Sequence, residues 1–313
     1  MILKDLSDVS PFPHTLFLLQ LSRLFLLLWL FQAVIALIAT AIAAETTAQT
    51  FGLRIAAKNA VEDGAKRMTM MSRTLDINME NYNKFLSRIG EFQLPDMDLG
   101  KSYFKGKPSL AYKIDEENRL KDFFGDTVVF ELDEETKAVI GKIIDEIYKA
   151  APLCFAERLH NATLHMTLHD LSNSPRCEDV EEEMARNLEE IKNRRSRFEK
   201  RVIKMRTSVI FNMVNTSLVM GLVPTSEGEF DKLMELYGIV DDVKRAEYPL
   251  TPHVTLGYYN VHGFDEGSAR ALEEIVGRLN RKEPLEITLD TDRLYYQRFN
   301  SMNQYENVVG LGE

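Results

Sequence analysis

Two short segments constrain this chain more than any others: Thr163-Leu164-His165-Met166-Thr167-Leu168-His169 and Pro252-His253-Val254-Thr255-Leu256-Gly257. Each alternates polar and apolar residues around His-x-Thr-Leu. Alternation at period two is the signature of a strand with one buried face, because successive side chains point to opposite sides. His165 and Thr167 therefore share one face, roughly 6–7 Å apart at about 3.3 Å per residue, while Leu164, Met166 and Leu168 point into a core. His253 and Thr255 repeat the arrangement, with Val254, Leu256 and Tyr258 behind them. Any fold for this chain must bury one side of both strands and leave an imidazole and a hydroxyl on the other.

The elements between and around the motifs form an approximate duplication. Asp126 to Leu132 reads as a strand, and Asp133 caps a helix running to Ala150, closed by Pro152. The first motif strand covers 162–171, and a charged helix spans 178–200, acidic first and basic last, as the helix dipole favours. Its charge run reads as a solvated face. Strands are expected at 206–214 and 216–223 around a tight turn at Asn215, then a helix over 227–239 and the second motif strand at 251–259. A helix at 265–281 and strands near 285–291, 293–299 and 305–309 complete the chain. Hairpins mixed with helical crossovers point to an α+β fold, and the repeat points to two similar lobes with the motif strands facing each other across a cleft.

Upstream, the pattern is weaker. Residues 78–89 could form a short helix, 90–107 a loop, and Ser109–Ile114 a strand; the extension 68–125 is read as a cap over the cleft or an added strand. Residues 1–67 form a separate segment. Leu24–Ala43 is uncharged and long enough to span a bilayer as a helix, and Ala41-Ile42-Ala43 resembles a cleavage site. The apolar run Leu16–Ala44 thus reads as signal- or anchor-like. Alternatively, the functional protein starts near Met68, Met70 or Met71 and lacks these residues. The late start implies a cytoplasmic protein; retention of residues 16–44 implies export or a membrane anchor.

The formal net charge is −10. That balance argues against tracking along a nucleic-acid polymer, since such affinity comes from neutralising phosphates with Lys and Arg, but it leaves room for a small nucleotide. Cys154 and Cys177 show no metal or redox spacing and read as unpaired thiols. Neither a P-loop nor a GxGxxG motif occurs.

Two facing histidines can supply a base and an acid at one site, because imidazole titrates near pH 6.5. Two threonine hydroxyls can hold non-bridging phosphoryl oxygens. The set suits attack of water on a phosphodiester with no cofactor and no metal. A competing reading takes His160, His165, His169 and Asp170 as metal ligands, although the alternation favours a strand over the helix that His-x₃-His spacing requires. His169 is expected on the face of His165 and Thr167, bordering the cleft. His14, His160 and His262 read as ordinary surface or core residues.

These paired motifs resemble those of the 2H phosphoesterase superfamily, which includes the 2′,5′-RNA ligase-like proteins and cyclic nucleotide phosphodiesterases. The resemblance covers residues 126–309, within a domain taken as 126–313. It implies a two-lobed α+β fold with a pseudo-twofold repeat of mixed strands and helices around a central cleft, with His165 and His253 catalytic and Thr167 and Thr255 binding substrate. It further implies hydrolysis of small nucleotide or RNA-end phosphodiesters of the 2′,3′-cyclic or 2′–5′ type, by a monomer. The alternative is a non-catalytic nucleotide-binding module of the same fold.

Overall fold

The computed structural model describes residues 80–92 and 103–312. The apolar segment 16–44, the cluster at Met68–Met71 and His14 lie outside the described residues. Two four-stranded antiparallel sheets dominate the structure. The first has the order β10 (Gln304–Gly310), β9 (Leu294–Ser301), β2 (Phe124–Glu131), β3 (His165–Ser174), and the second β8 (Glu286–Asp290), β4 (Val202–Met213), β5 (Ser217–Pro224), β6 (His253–Tyr258). The motif strands β3 and β6 are thus the terminal strands of their sheets, and they lie against each other. An edge strand normally exposes unpaired backbone groups. Here the two edges shelter one another, giving the expected two-lobed α+β arrangement.

Local chemistry explains the element boundaries. Helix α2 (Glu134–Ala150) starts where the Asp133 carboxylate accepts from the Thr136 amide at 2.8 Å and from the Thr136 hydroxyl at 2.9 Å. Its buried stripe is Ile140, Ile144 and Ile147, at helical spacing. Ser226 and Asp265 cap α4 (Glu227–Asp241) and α5 (Glu266–Leu279) in the same way, accepting from Glu229 and Ser268. The β4–β5 turn needs left-handed backbone at Val214 (φ 43°) and Asn215 (φ 59°). Asn215 tolerates that region well; a β-branched valine does not. The Asn212 side chain ties the turn by accepting from the Asn215 amide at 3.1 Å.

The core is continuous across both lobes. Phe130, Met166 and Leu168 from the first sheet join Met220, Val254 and Leu256 from the second in one buried cluster. Behind the first sheet, Asp126 is 1 % exposed and fully engaged. It accepts from the Ser172 amide (2.8 Å), from Asn187 on α3 (Glu181–Arg194; 3.0 Å) and from the Tyr296 hydroxyl (2.8 Å). Burial raises its pKa even so.

Three expectations are corrected. The segment expected as a strand at 109–114 is a 3₁₀ helix, Pro108–Tyr112. Proline is compatible with a first helical turn, which this segment follows. The charged helix is shorter than expected, because residues 195–197 tighten into a 3₁₀ turn after Arg194. The third correction concerns His169, described with the site.

Upstream of the repeat, α1 (Tyr82–Glu91) buries Phe85 and Ile89 against Val223 and Phe230. Tyr103–Phe104 forms β1, a two-residue antiparallel ribbon with β7 (Phe264–Asp265). Among the described residues no helix is long and apolar enough to cross a membrane.

Candidate functional site

His165 and His253 each open a motif strand, and their surroundings match atom for atom. The Nδ1 of His165 lies 2.7 Å from the carbonyl oxygen of Thr163, and the Nδ1 of His253 lies 2.7 Å from that of Thr251. A carbonyl can only accept, so both nitrogens carry the proton and both Nε2 atoms keep a lone pair. The duplicated unit is therefore Thr-x-His-x-Thr, in which the first threonine fixes the tautomer through its backbone. His165, Thr167, His253 and Thr255 are half-buried, while Leu164, Met166, Leu168, Val254 and Leu256 are buried behind them. The alternation read from the sequence holds through both motifs.

The electrostatics favour neutral rings. Desolvation lowers the His165 pKa to about 4, against the raising effects of the Thr163 carbonyl and the Asp170 carboxylate. The charge of His253 lowers it further, so the two rings lie within electrostatic reach of each other. Desolvation also lowers the His253 pKa, again opposed by its carbonyl partner and by Asp170. Asp170 thus acts on both rings. Its carboxylate accepts from the Tyr248 hydroxyl at 2.9 Å, linking β3 to the loop that precedes β6.

Beside His165 opens a cavity of about 280 Å³, lined among others by Glu131, Thr163, Gln297, Asn303 and Tyr305. The Tyr305 ring meets the His165 ring edge-on at 5.0 Å. Glu131 sits directly across the β2–β3 ladder from His165.

His169 does not share the face of His165. The ladder slips between Val128 and Val129, so Leu168 is the extra residue opposite that step and the period-two alternation breaks there. His169 is 3 % exposed; its Nδ1 lies 2.6 Å from the Asp170 carbonyl and its Nε2 3.2 Å from Asp241. It joins β3 to α4 inside the protein. Among the described residues no three His, Cys, Asp or Glu side chains gather where they could hold a metal ion. His160 borders the cavity, and His262 meets the Glu116 carbonyl at 2.6 Å. Cys154 is buried, its pKa raised to about 12 by desolvation, and Cys177 is half-buried; both are free thiols.

Sequence reasoning missed several contributors. The paired Thr163 and Thr251 were visible as a longer repeat. Asp170, Glu131 and Tyr305 carry no motif and reach the site only through strand pairing. Arg88 on α1 is equally silent in sequence. It donates to Thr251 Oγ1 (3.1 Å) and the Leu250 carbonyl (2.9 Å), and forks onto the Glu80 carboxylate (2.7 and 2.8 Å). Through Thr251 it abuts the residue that holds His253.

No protein-family model matches the chain, and no curated protein matches it in sequence. Among solved structures, a conserved protein of unknown function from Agrobacterium tumefaciens is similar over 69% of this chain and 99% of its own, at 16% identity and a TM-score of 0.53. That likeness shows a shared fold. Escherichia coli LigT, solved with 3′-AMP, aligns over 60% of this chain and 97% of its own (11% identity, TM-score 0.38). Usb1 of Kluyveromyces marxianus aligns over 60% and 98% (16% identity, TM-score 0.35).

Proposed function

We propose that this protein is a paired-histidine phosphodiesterase that hydrolyses small nucleotide or RNA-end phosphodiesters of the 2′,3′-cyclic or 2′–5′ type. The observation that carries the reading is the matched pair of Nδ1-anchored imidazoles on facing edge strands, each with a threonine two residues on. One Nε2 lone pair takes a proton from the attacking water, and the other ring, protonated, delivers a proton to the departing sugar oxygen. Thr167 and Thr255 donate to the non-bridging oxygens as charge builds on phosphorus.

The lowered pKa values fit this division of labour. Both rings are neutral in the free protein at pH 7, so neither is committed in advance. A bound phosphodiester brings negative charge that favours protonation of the ring nearer the leaving oxygen. The four side chains supply base, acid and oxyanion donors without a metal.

The test is turnover of a panel of 2′,3′-cyclic nucleotides and 2′–5′-linked dinucleotides, with and without EDTA. The expected result is hydrolysis that survives chelation and falls by about 10²–10⁴ in His165→Ala or His253→Ala, the range for general acid–base groups. Nucleotide binding without turnover would replace the enzyme by a binding module. Full activity in the double variant would remove the mechanism.

A further inference from the structure

The cavity beside His165 carries groups that the proposed hydrolysis does not use. Glu131 Oε1 accepts from Gln297 Nε2 and from Asn307 Nδ2, each at 3.0 Å, and Gln297 Nε2 also donates to Asn307 Oδ1 at 2.6 Å. Two amides from neighbouring strands thus hold this carboxylate at a fixed angle. Gln297 is 3 % exposed, and its Oε1 is buried with no hydrogen-bond partner. Both of its amide hydrogens are taken by the Glu131–Asn307 pair, so rotating the amide would set its oxygen against acceptors. The wall beside Glu131 therefore offers a rigid carboxylate, whose Oε1 is already engaged by the two amides. Tyr305, on the same cavity, adds an aromatic surface of the kind nucleobases stack on.

We infer that this cavity binds the nucleobase of the substrate and selects guanine. The inference rests on the phosphodiesterase reading of the same site. A carboxylate accepts only, so this wall asks for a ligand that turns donors toward it. Guanine presents N1–H and the N2 amino group side by side, and both can converge on Glu131 Oε2, the carboxylate oxygen that the two amides leave unengaged. Adenine and cytosine set an amino group beside a bare ring nitrogen, and uracil flanks its one N–H with two carbonyls. Each of these turns a lone pair toward the Glu131 carboxylate, and a site built to pair donors discriminates strongly against analogues that lack them. Glu131 pairs with His165 across the ladder and lines the same cavity, so a nucleotide whose phosphate meets His165 brings its base within reach of this wall.

The experiment measures kcat/KM for guanosine, adenosine, cytidine and uridine 2′,3′-cyclic phosphates, with wild type, Glu131→Gln and Glu131→Ala, each checked for folding by thermal melting. The expected result is a preference for guanosine over uridine of about tenfold or more, with the ratio falling to near one in both variants. Equal rates on the four substrates, or a guanosine-to-uridine ratio unchanged by the substitutions, overturns the inference while leaving the phosphodiesterase reading intact. If no cyclic phosphate is turned over, that reading fails on its own, and calorimetric titration with guanosine and uridine 3′-monophosphates tests the cavity. Tighter guanosine binding that Glu131→Gln abolishes supports it; equal affinities, or binding of neither, overturn it.

Discussion

Replacing Arg88 by alanine is the perturbation that best tests how the upstream helix serves the site. The guanidinium is 21 % exposed and its partner Glu80 is 12 % exposed. The substitution removes a two-pronged ion pair and leaves the Leu250 carbonyl and Thr251 Oγ1 without their donor. Hydrogen bonds to charged groups are worth about 1.5–3 kcal/mol, and breaking one side of a buried pair costs about 3–5 kcal/mol. Partial exposure reduces both, so the expected loss is about 2–4 kcal/mol. At about 2–4 °C per kcal/mol for a chain of this size, the melting temperature should fall by about 5–15 °C. Arg88 also packs over the Phe85 ring at 5.4 Å, and the aliphatic stem accounts for part of that loss. Urea titration of Arg88→Ala, Glu80→Ala and the double variant separates the ion pair from the packing, and a coupling of about 1–2 kcal/mol is expected. Because Thr251 holds His253, kcat should fall more than the loss of folded protein explains, and Arg88→Ala should have no further effect on kcat in a His253→Ala background. A destabilisation under about 0.5 kcal/mol, or equal effects of Arg88→Ala with and without His253, would refute the reasoning.

Other outcomes follow from the same geometry. The kcat/KM profile should be bell-shaped with its optimum below pH 6.5, because the pKa values of both rings are lowered in the free protein; an optimum above pH 7.5 would contradict it. The same shifts act on stability. The folded pKa values lie below the unfolded one, so stability is full above about pH 6.5 and declines toward pH 4 by about 1.4 kcal/mol per pH unit for each ring still neutral; urea titrations of wild type and His165→Gln across that window read the difference. Gly125→Ala should destabilise by more than about 3 kcal/mol, because its Cβ would stand 2.1 Å from the Ser172 carbonyl oxygen, a backbone atom with little room to move. Thermal melting checks that directly.

The motif strands were legible because period-two alternation with one buried face leaves a pattern in the chain itself. The capped helices were legible for a similar reason: Asp133, Ser226 and Asp265 each precede an amphipathic run. His169 was misplaced because a bulge shifts the alternation by one step, and nothing in Leu168-His169-Asp170 announces it. Ser109–Ile114 reads as a strand from its apolar residues, although the proline just before it favours the turn of 3₁₀ helix that forms there. The cavity wall was beyond reach altogether. Glu131, Gln297 and Asn307 come from three strands whose register depends on the whole sheet.

The order of strands in the first sheet has a consequence for how the protein is made. β2 is flanked by β3 and by β9, and β9 begins only at Leu294, after the whole of the second sheet. A nascent chain must hold one side of β2 open until residues 294–301 have left the ribosome. Despite the internal repeat, the half built on the first sheet is not a contiguous stretch that could mature alone, and a chain cut before β9 should be an aggregation-prone intermediate.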